Sequence, residues 1–192
     1  MINLMPTREN YYVQVNNEVN PYSACNVTCM TMVIDYVMKG NMSLLNKLGK
    51  FAQPEDNLYV FMDTDPDIQA YYKRLFPKSD VPPQEYLDVM CYTMNKLYGN
   101  KIKATVDIKI TVNKLISDLT EEQMPAICSL RFPERRIPGH FIVVCGVDDE
   151  GNFICNDPYK NTLKNLPDGF NNIYPQDEFL ERLKWGIRFK RV

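Results

Sequence analysis

The chain has 192 residues, 45% of them hydrophobic, which is enough for one domain with a genuine core. Its 22 basic and 24 acidic residues leave a net charge of −2, and no Lys/Arg block marks a surface for nucleic acid or anionic membrane. No apolar run reaches bilayer length, and Met1 to Glu9 lacks the basic region and apolar stretch of an export signal. The expected protein therefore has no membrane span and works in the cytoplasm, or leaves by a non-standard route.

In chain order, Tyr11 to Val15 reads as a short extended segment and Asn16 to Ser23 as a turn-rich loop containing Asn20-Pro21. From Ala24 to Met38 the residues Val27, Met30, Ile34 and Val37 fall at helical spacing, and further apolar residues fill much of the circumference. The spacing predicts a nearly buried helix ending at Gly40. Three more helices are expected between 41 and 100: Leu44 to Phe51, Pro66 to Phe76 behind the cap Asp65, and Pro83 to Tyr98 closed by Gly99.

The period then changes, with a strand at Lys103 to Ile110, a helix at Val112 to Leu119 and a strand at Met124 to Phe132. A hairpin follows: strand His140 to Val147, turn Asp148 to Gly151, strand Asn152 to Asp157. A helix around Gln176 to Leu183 and a closing strand Trp185 to Val192 complete the chain. Helices first and antiparallel strands later is an α+β order, and no repeat or Gly/Ser linker divides residues 1–192, so a single domain is expected.

The only histidine is His140, which excludes metal sites built on two or three imidazoles. The six cysteines (25, 29, 91, 128, 145 and 155) are expected to be reduced, because the chain is too large to need disulfide staples. Cys128, Cys145 and Cys155 lie in apolar strand-like runs and read as core filler. Cys25 and Cys29 form a C-x-x-x-C pair with no second pair, a weak basis for zinc. No metal or cofactor is expected.

Cys25 opens the buried helix, where unpaired backbone N–H groups and the helix dipole favour an anion. His140 and Asp157 share the hairpin. Counting out from its turn, Val147 pairs with Asn152, and His140 stands opposite residue 159, or 157 if the turn is bulged. Asp157 is then at worst a same-face diagonal neighbour of His140. A carboxylate on one ring nitrogen fixes the tautomer and offers the other nitrogen to a thiol, the arrangement of a Cys-His-Asp triad. Asn156 points to the opposite face and is the weaker partner. An oxyanion donor is also needed; Gln14 lies upstream, with Asn16, Asn17 and Asn20 as competitors.

Tyr11-Tyr12-Val13-Gln14, Asn17, Pro21 and Cys25 to Val33 resemble the N-terminal signature of papain-like cysteine peptidases of the double-glycine leader-peptidase-like branch. Gly139 to Asp148, Gly151 and Asn156-Asp157-Pro158 resemble that branch's second signature, in the same order. The stretch 41–100 matches neither signature and resembles a helical insertion. The resemblance implies a papain-like fold in which the nucleophile helix packs on an antiparallel sheet. It makes Cys25 the nucleophile, His140 the base and then acid, Asp157 the orienting residue and Gln14 the oxyanion donor. Many members carry Gly after the nucleophile where this chain has Asn26, and Cys29 stands where Ser is usual, one turn from Cys25.

The expected function is therefore a cysteine hydrolase cleaving a peptide or other amide bond of a peptide or protein substrate through an acyl-enzyme. Two alternatives stand beside it. One is a non-catalytic binding or inhibitory module whose triad is occluded by the segment 41–100. The other keeps the acyl-enzyme but changes the acceptor or substrate, as in a cell-wall amidase or transpeptidase.

Overall fold

The computed structural model describes residues 1–192, the side chain of Pro138 excepted. Helices α1 (Cys25–Met38), α2 (Ser43–Lys47), α3 (Pro54–Thr64), α4 (Pro66–Leu75) and α5 (Leu87–Tyr98) come first. Apart from the two-residue strand β1 (Ile2–Asn3), the strands follow: β2 (Ile102–Asp107), β3 (Ala126–Phe132), β4 (Ile137–Val147), β5 (Phe153–Asn156), β6 (Asn172–Tyr174) and β7 (Leu183–Arg191). Helices α6 (Val112–Thr120) and α7 (Gln176–Arg182) are interposed among them. The architecture is α+β, with an antiparallel sheet ordered β2-β7-β3-β4-β5-β6 and β1 added beside β4.

Helix α1 forms as its pattern predicts, from Cys25 to Met38, and stops where Lys39 and Gly40 turn into left-handed backbone at φ 51° and 80°. It is buried on nearly every side, because α3 packs on one flank and the sheet on the other. Its residues Val27, Met30, Val33 and Ile34 share one core with Phe141, Val143 and Cys145 of β4 and with apolar residues of α3, α4 and α5.

Helices also cover the opposite sheet face. Leu115 and Leu119 of α6 and Phe179 of α7 pack there on Cys128, Leu130, Ile142, Val144 and Cys155. The sheet thus carries helices on both faces, the nucleophile helix α1 on one and α6 and α7 on the other. Burial on both sides is why β3 and β4 read as continuous apolar runs rather than alternating ones.

Several expected boundaries move. The helix expected at Leu44 to Phe51 is the short α2, and α3 forms where no helix was expected, opened by Pro54 at its first position with Glu55 and Asp56 in the first turn. Pro83 to Glu85 is a separate 3₁₀ turn ahead of α5. Around the extended residues Tyr11 to Val13, Arg8–Asn10 and Gln14–Asn16 are 3₁₀ turns, so the segment is not a strand.

The hairpin register also differs from the count made outward from the turn. Val147 faces Phe153, not Asn152, and a bulge between Val144 and Gly146 restores the expected frame, with Val144 opposite Cys155 and Val143 opposite Asn156. At the bulge, the Cys145 carbonyl accepts a hydrogen bond from the Leu4 amide at 2.8 Å, so β1 holds the irregularity in place.

Candidate active site

Cys25 is the first residue of α1, behind the non-capping Ala24. The Asn26 side-chain oxygen accepts from the Val27 amide at 2.8 Å, while the amides of Cys25 and Asn26 precede the first intrahelical partner. The thiol is partly exposed, whereas the five other cysteines are buried; all are free thiols. Burial pushes the Cys91 and Cys145 thiols up to about 12, and raises those of Cys29, Cys128 and Cys155 as well.

His140 is almost buried at 6% exposure, on β4 opposite Leu130. Asp157 follows the last residue of β5, two places short of the position directly across from His140 in the restored frame. It is the same-face diagonal neighbour that hairpin geometry allows, and its Oδ1 lies 2.6 Å from His140 Nε2. With Nε2 engaged, Nδ1 is the nitrogen left free, and Cys25, which lines the same cleft, acts to raise the pKa of the ring.

Asp157 is fully buried and densely solvated by protein. Oδ1 also accepts from the Tyr159 amide at 3.0 Å, and Oδ2 accepts from the Thr162 amide at 3.0 Å and the Tyr174 hydroxyl at 3.4 Å. Burial alone would raise its pKa, but the facing imidazole and the Thr162 hydrogen bonds outweigh it, and Asp157 is held below the usual carboxylate range. For His140, burial works against the charged form. Asp157, followed by Cys25, overcomes it and raises the pKa to about 10. Asp157 and Cys25 thus both favour the imidazolium form of the ring.

The surrounding backbone is shaped to hold this carboxylate. The Asp157 amide donates to the Gly169 carbonyl at 2.8 Å, and the Tyr11 hydroxyl donates to the Asp157 carbonyl at 2.8 Å. A Cβ at Gly169 would fall 1.9 Å from that carbonyl oxygen, so only glycine permits the approach. Asn156 has a structural task, with its oxygen bound by the Asn171 amide at 2.9 Å.

Gln14 is 2% exposed and lines the same cleft as Cys25 and His140, a cavity of about 310 Å³. Its backbone amide donates to the Pro158 carbonyl at 2.8 Å, which ties it to the residue after Asp157. One side-chain N–H donates to the Pro21 carbonyl at 3.1 Å, and a second remains. Of the competing asparagines, Asn20 donates to the Tyr59 hydroxyl at 2.9 Å, Asn17 is buried and Asn16 is exposed, and none of them lines this cavity.

Cys25, His140, Asp157 and Gln14 therefore converge from four separate stretches. Tyr11 carries a sequence signal only as part of a motif, and Thr162, Gly169 and Tyr174 carry none. The segment 41–100 also reaches the site. Asn26 Nδ2 donates to the Gln84 carbonyl at 2.8 Å, fastening the 3₁₀ turn Pro83–Glu85 onto the start of α1, and Glu85 lines the cleft. Asn26 thus has a task that Gly could not perform.

Among the described residues no helix is long and apolar enough to cross a membrane. No curated protein matches the chain. The Peptidase_C39 like family matches residues 9–181, a span that contains every residue of the cleft, and the chain belongs to that family.

Proposed function

We propose that the protein is a papain-like cysteine peptidase, formed by residues 1–192 as a single domain, that cleaves an amide bond through Cys25, His140, Asp157 and Gln14. The reading rests above all on one observation: the sole imidazole of the chain has Asp157 on Nε2 and lines one open cleft with Cys25.

In this reading the Cys25 sulfur attacks the carbonyl carbon of the substrate, and the carbonyl electron pair moves to oxygen. The Cys25 backbone N–H and the second side-chain N–H of Gln14 receive the oxyanion. His140 Nδ1–H then protonates the departing amine as the C–N bond breaks, leaving a thioester on Cys25. His140, now neutral, takes a proton from water as the hydroxide adds to the thioester, and collapse of that adduct breaks the C–S bond, expels the Cys25 thiolate and frees the acid product, leaving His140 the imidazolium it began as. Asp157 stays ionised throughout, orienting the ring and stabilising its cation.

Within the family, the two signatures around Cys25 and His140 favour the double-glycine leader-peptidase-like branch. The occluded binding-module alternative is not favoured, since Cys25 is partly exposed and the segment 41–100 lines the cleft. Amidase and transpeptidase variants share the acyl-enzyme and differ only in partner.

The test is to quench reactions of the protein with a panel of peptide and peptidoglycan-fragment amides in acid and weigh the intact protein. An acyl adduct mapped to Cys25 and absent from Cys25→Ala supports the proposal. Turnover that persists in a folded Cys25→Ala variant refutes it.

A further inference from the structure

The charge of the cleft comes from two groups, the His140 imidazolium and the Glu85 carboxylate. Glu85 is the part of the segment 41–100 that reaches the nucleophile, and its position is fixed by neighbouring backbone. Its amide donates to the Pro82 carbonyl at 3.1 Å. Gln84 beside it is fully buried, with its amide nitrogen 2.9 Å from the Tyr59 carbonyl of α3 and its own carbonyl held by Asn26. The turn that presents Glu85 is therefore clamped to the residue immediately after Cys25.

Among the described residues no Lys or Arg pairs with this carboxyl; burial raises its pKa and the Asn26 amide lowers it. This sets it apart from Asp65, Asp107, Asp118 and Glu134, each paired with Lys or Arg. Tyr22 lines the same cleft and is 85% exposed as a residue, so its ring can offer an aromatic face to the alkyl stem and head of a cationic side chain.

We propose that Glu85, with Tyr22, is a specificity-determining pair that selects substrates carrying an ammonium or guanidinium group within one or two residues of the bond attacked by Cys25. The inference rests on the peptidase reading of Cys25 and adds a substrate class to it. Asp157 is engaged with His140, whereas the carboxylate of Glu85 at the rim has no Lys or Arg partner and is free to attract a cation from the substrate. The cation would sit in a water-exposed rim, so the preference is modest: roughly fivefold, the upper range for a solvent-exposed ion pair.

The experiment uses acetylated tripeptidyl acyloxymethyl ketones, which alkylate a cysteine nucleophile as their carboxylate departs. Lys, norleucine or Glu is placed in turn at each position, and a parallel norleucine set carries a free N-terminal amine. Labelling rates are read by intact mass on wild type, Glu85→Gln and Glu85→Lys. The deciding quantity is the ratio of Lys to norleucine rates within each variant, which cancels any general effect on Cys25.

A wild-type ratio of roughly five at one position, falling to about one in Glu85→Gln and below one in Glu85→Lys, supports the proposal for side-chain cations. The same pattern confined to the free-amine set supports it with an N-terminal ammonium as the recognised group. Labelling of Cys25 with a ratio near one in every set, or a ratio unaltered in Glu85→Gln, overturns this inference and leaves the peptidase reading standing. Failure of all the ketones to label Cys25 overturns both.

Discussion

Because the chain contains a single histidine, its ionisation can be followed without ambiguity, and Asp157→Asn is the perturbation that most directly probes why it is charged. The Asp157 carboxylate accepts from His140 on one oxygen and from Thr162 and Tyr174 on the other. An asparagine offers one oxygen and one NH₂, so in either rotamer a buried donor faces donors, and the negative charge is gone. Burial then acts on His140 opposed only by Cys25, and its pKa should fall from about 10 toward the ordinary value of 6.5.

The loss in stabilisation of the imidazolium is about 5 kcal/mol, in line with the roughly 3–5 kcal/mol for breaking a buried ion pair. The assay is NMR of ¹⁵N,¹³C-histidine-labelled protein between pH 5 and 10.5. The wild-type ring should remain an imidazolium past pH 8, and the variant ring should be largely neutral by pH 8. A wild-type titration near 6.5 that Asp157→Asn does not move would refute the electrostatic account. The same pair makes stability depend on pH. A histidine whose pKa is raised by folding contributes fully below about 6.5, and its contribution is lost as pH rises toward about 10, so urea unfolding should show wild type weakening over that window and Asp157→Asn not doing so.

Gly169→Ala should destabilise the fold by about 1–3 kcal/mol in chemical denaturation, because its Cβ would overlap the Asp157 carbonyl and lie 2.6 Å from the Tyr11 hydroxyl; unchanged stability would show that this approach is looser than described. Tyr11→Phe removes one hydrogen bond to the Asp157 carbonyl and should cost about 1 kcal/mol, with a much smaller effect on His140 titration than Asp157→Asn. Cys29 is fully buried and its thiol is pushed up by that burial, so Cys29→Ser should leave peroxide inactivation unchanged; protection by this substitution would revive a Cys25–Cys29 regulatory disulfide.

The parts of this structure legible in the sequence are those written as a regular period or a short-range count. Helix α1 carries its apolar residues around most of its circumference and so had to be buried, and the spacing between His140 and Asp157 across one hairpin was enough to bring them together. The bulge at Cys145 was not legible, since it depends on β1, whose two residues are too short to show a period. Helix α3 was hidden because its buried polar residues Glu55, Asp56 and Asn57 obscure an amphipathic pattern, although Pro54 and the acidic first turn marked its start. Gly169 and Thr162 hold Asp157 through backbone atoms, which leave no trace in residue type. The role of Glu85 depends on where a separate 3₁₀ turn is clamped, and only the folded chain supplies that.

The most direct test of the central claim is alkylation of the native protein by substoichiometric iodoacetamide near pH 7, mapped by peptide mass spectrometry. With five of the six thiols buried and only Cys25 lining the cleft beside an imidazolium, the adduct should form almost wholly on Cys25, and more slowly in a folded Asp157→Asn variant. Adduct spread over several cysteines, or a Cys25 rate indifferent to the loss of Asp157, would contradict an activated nucleophile at this site.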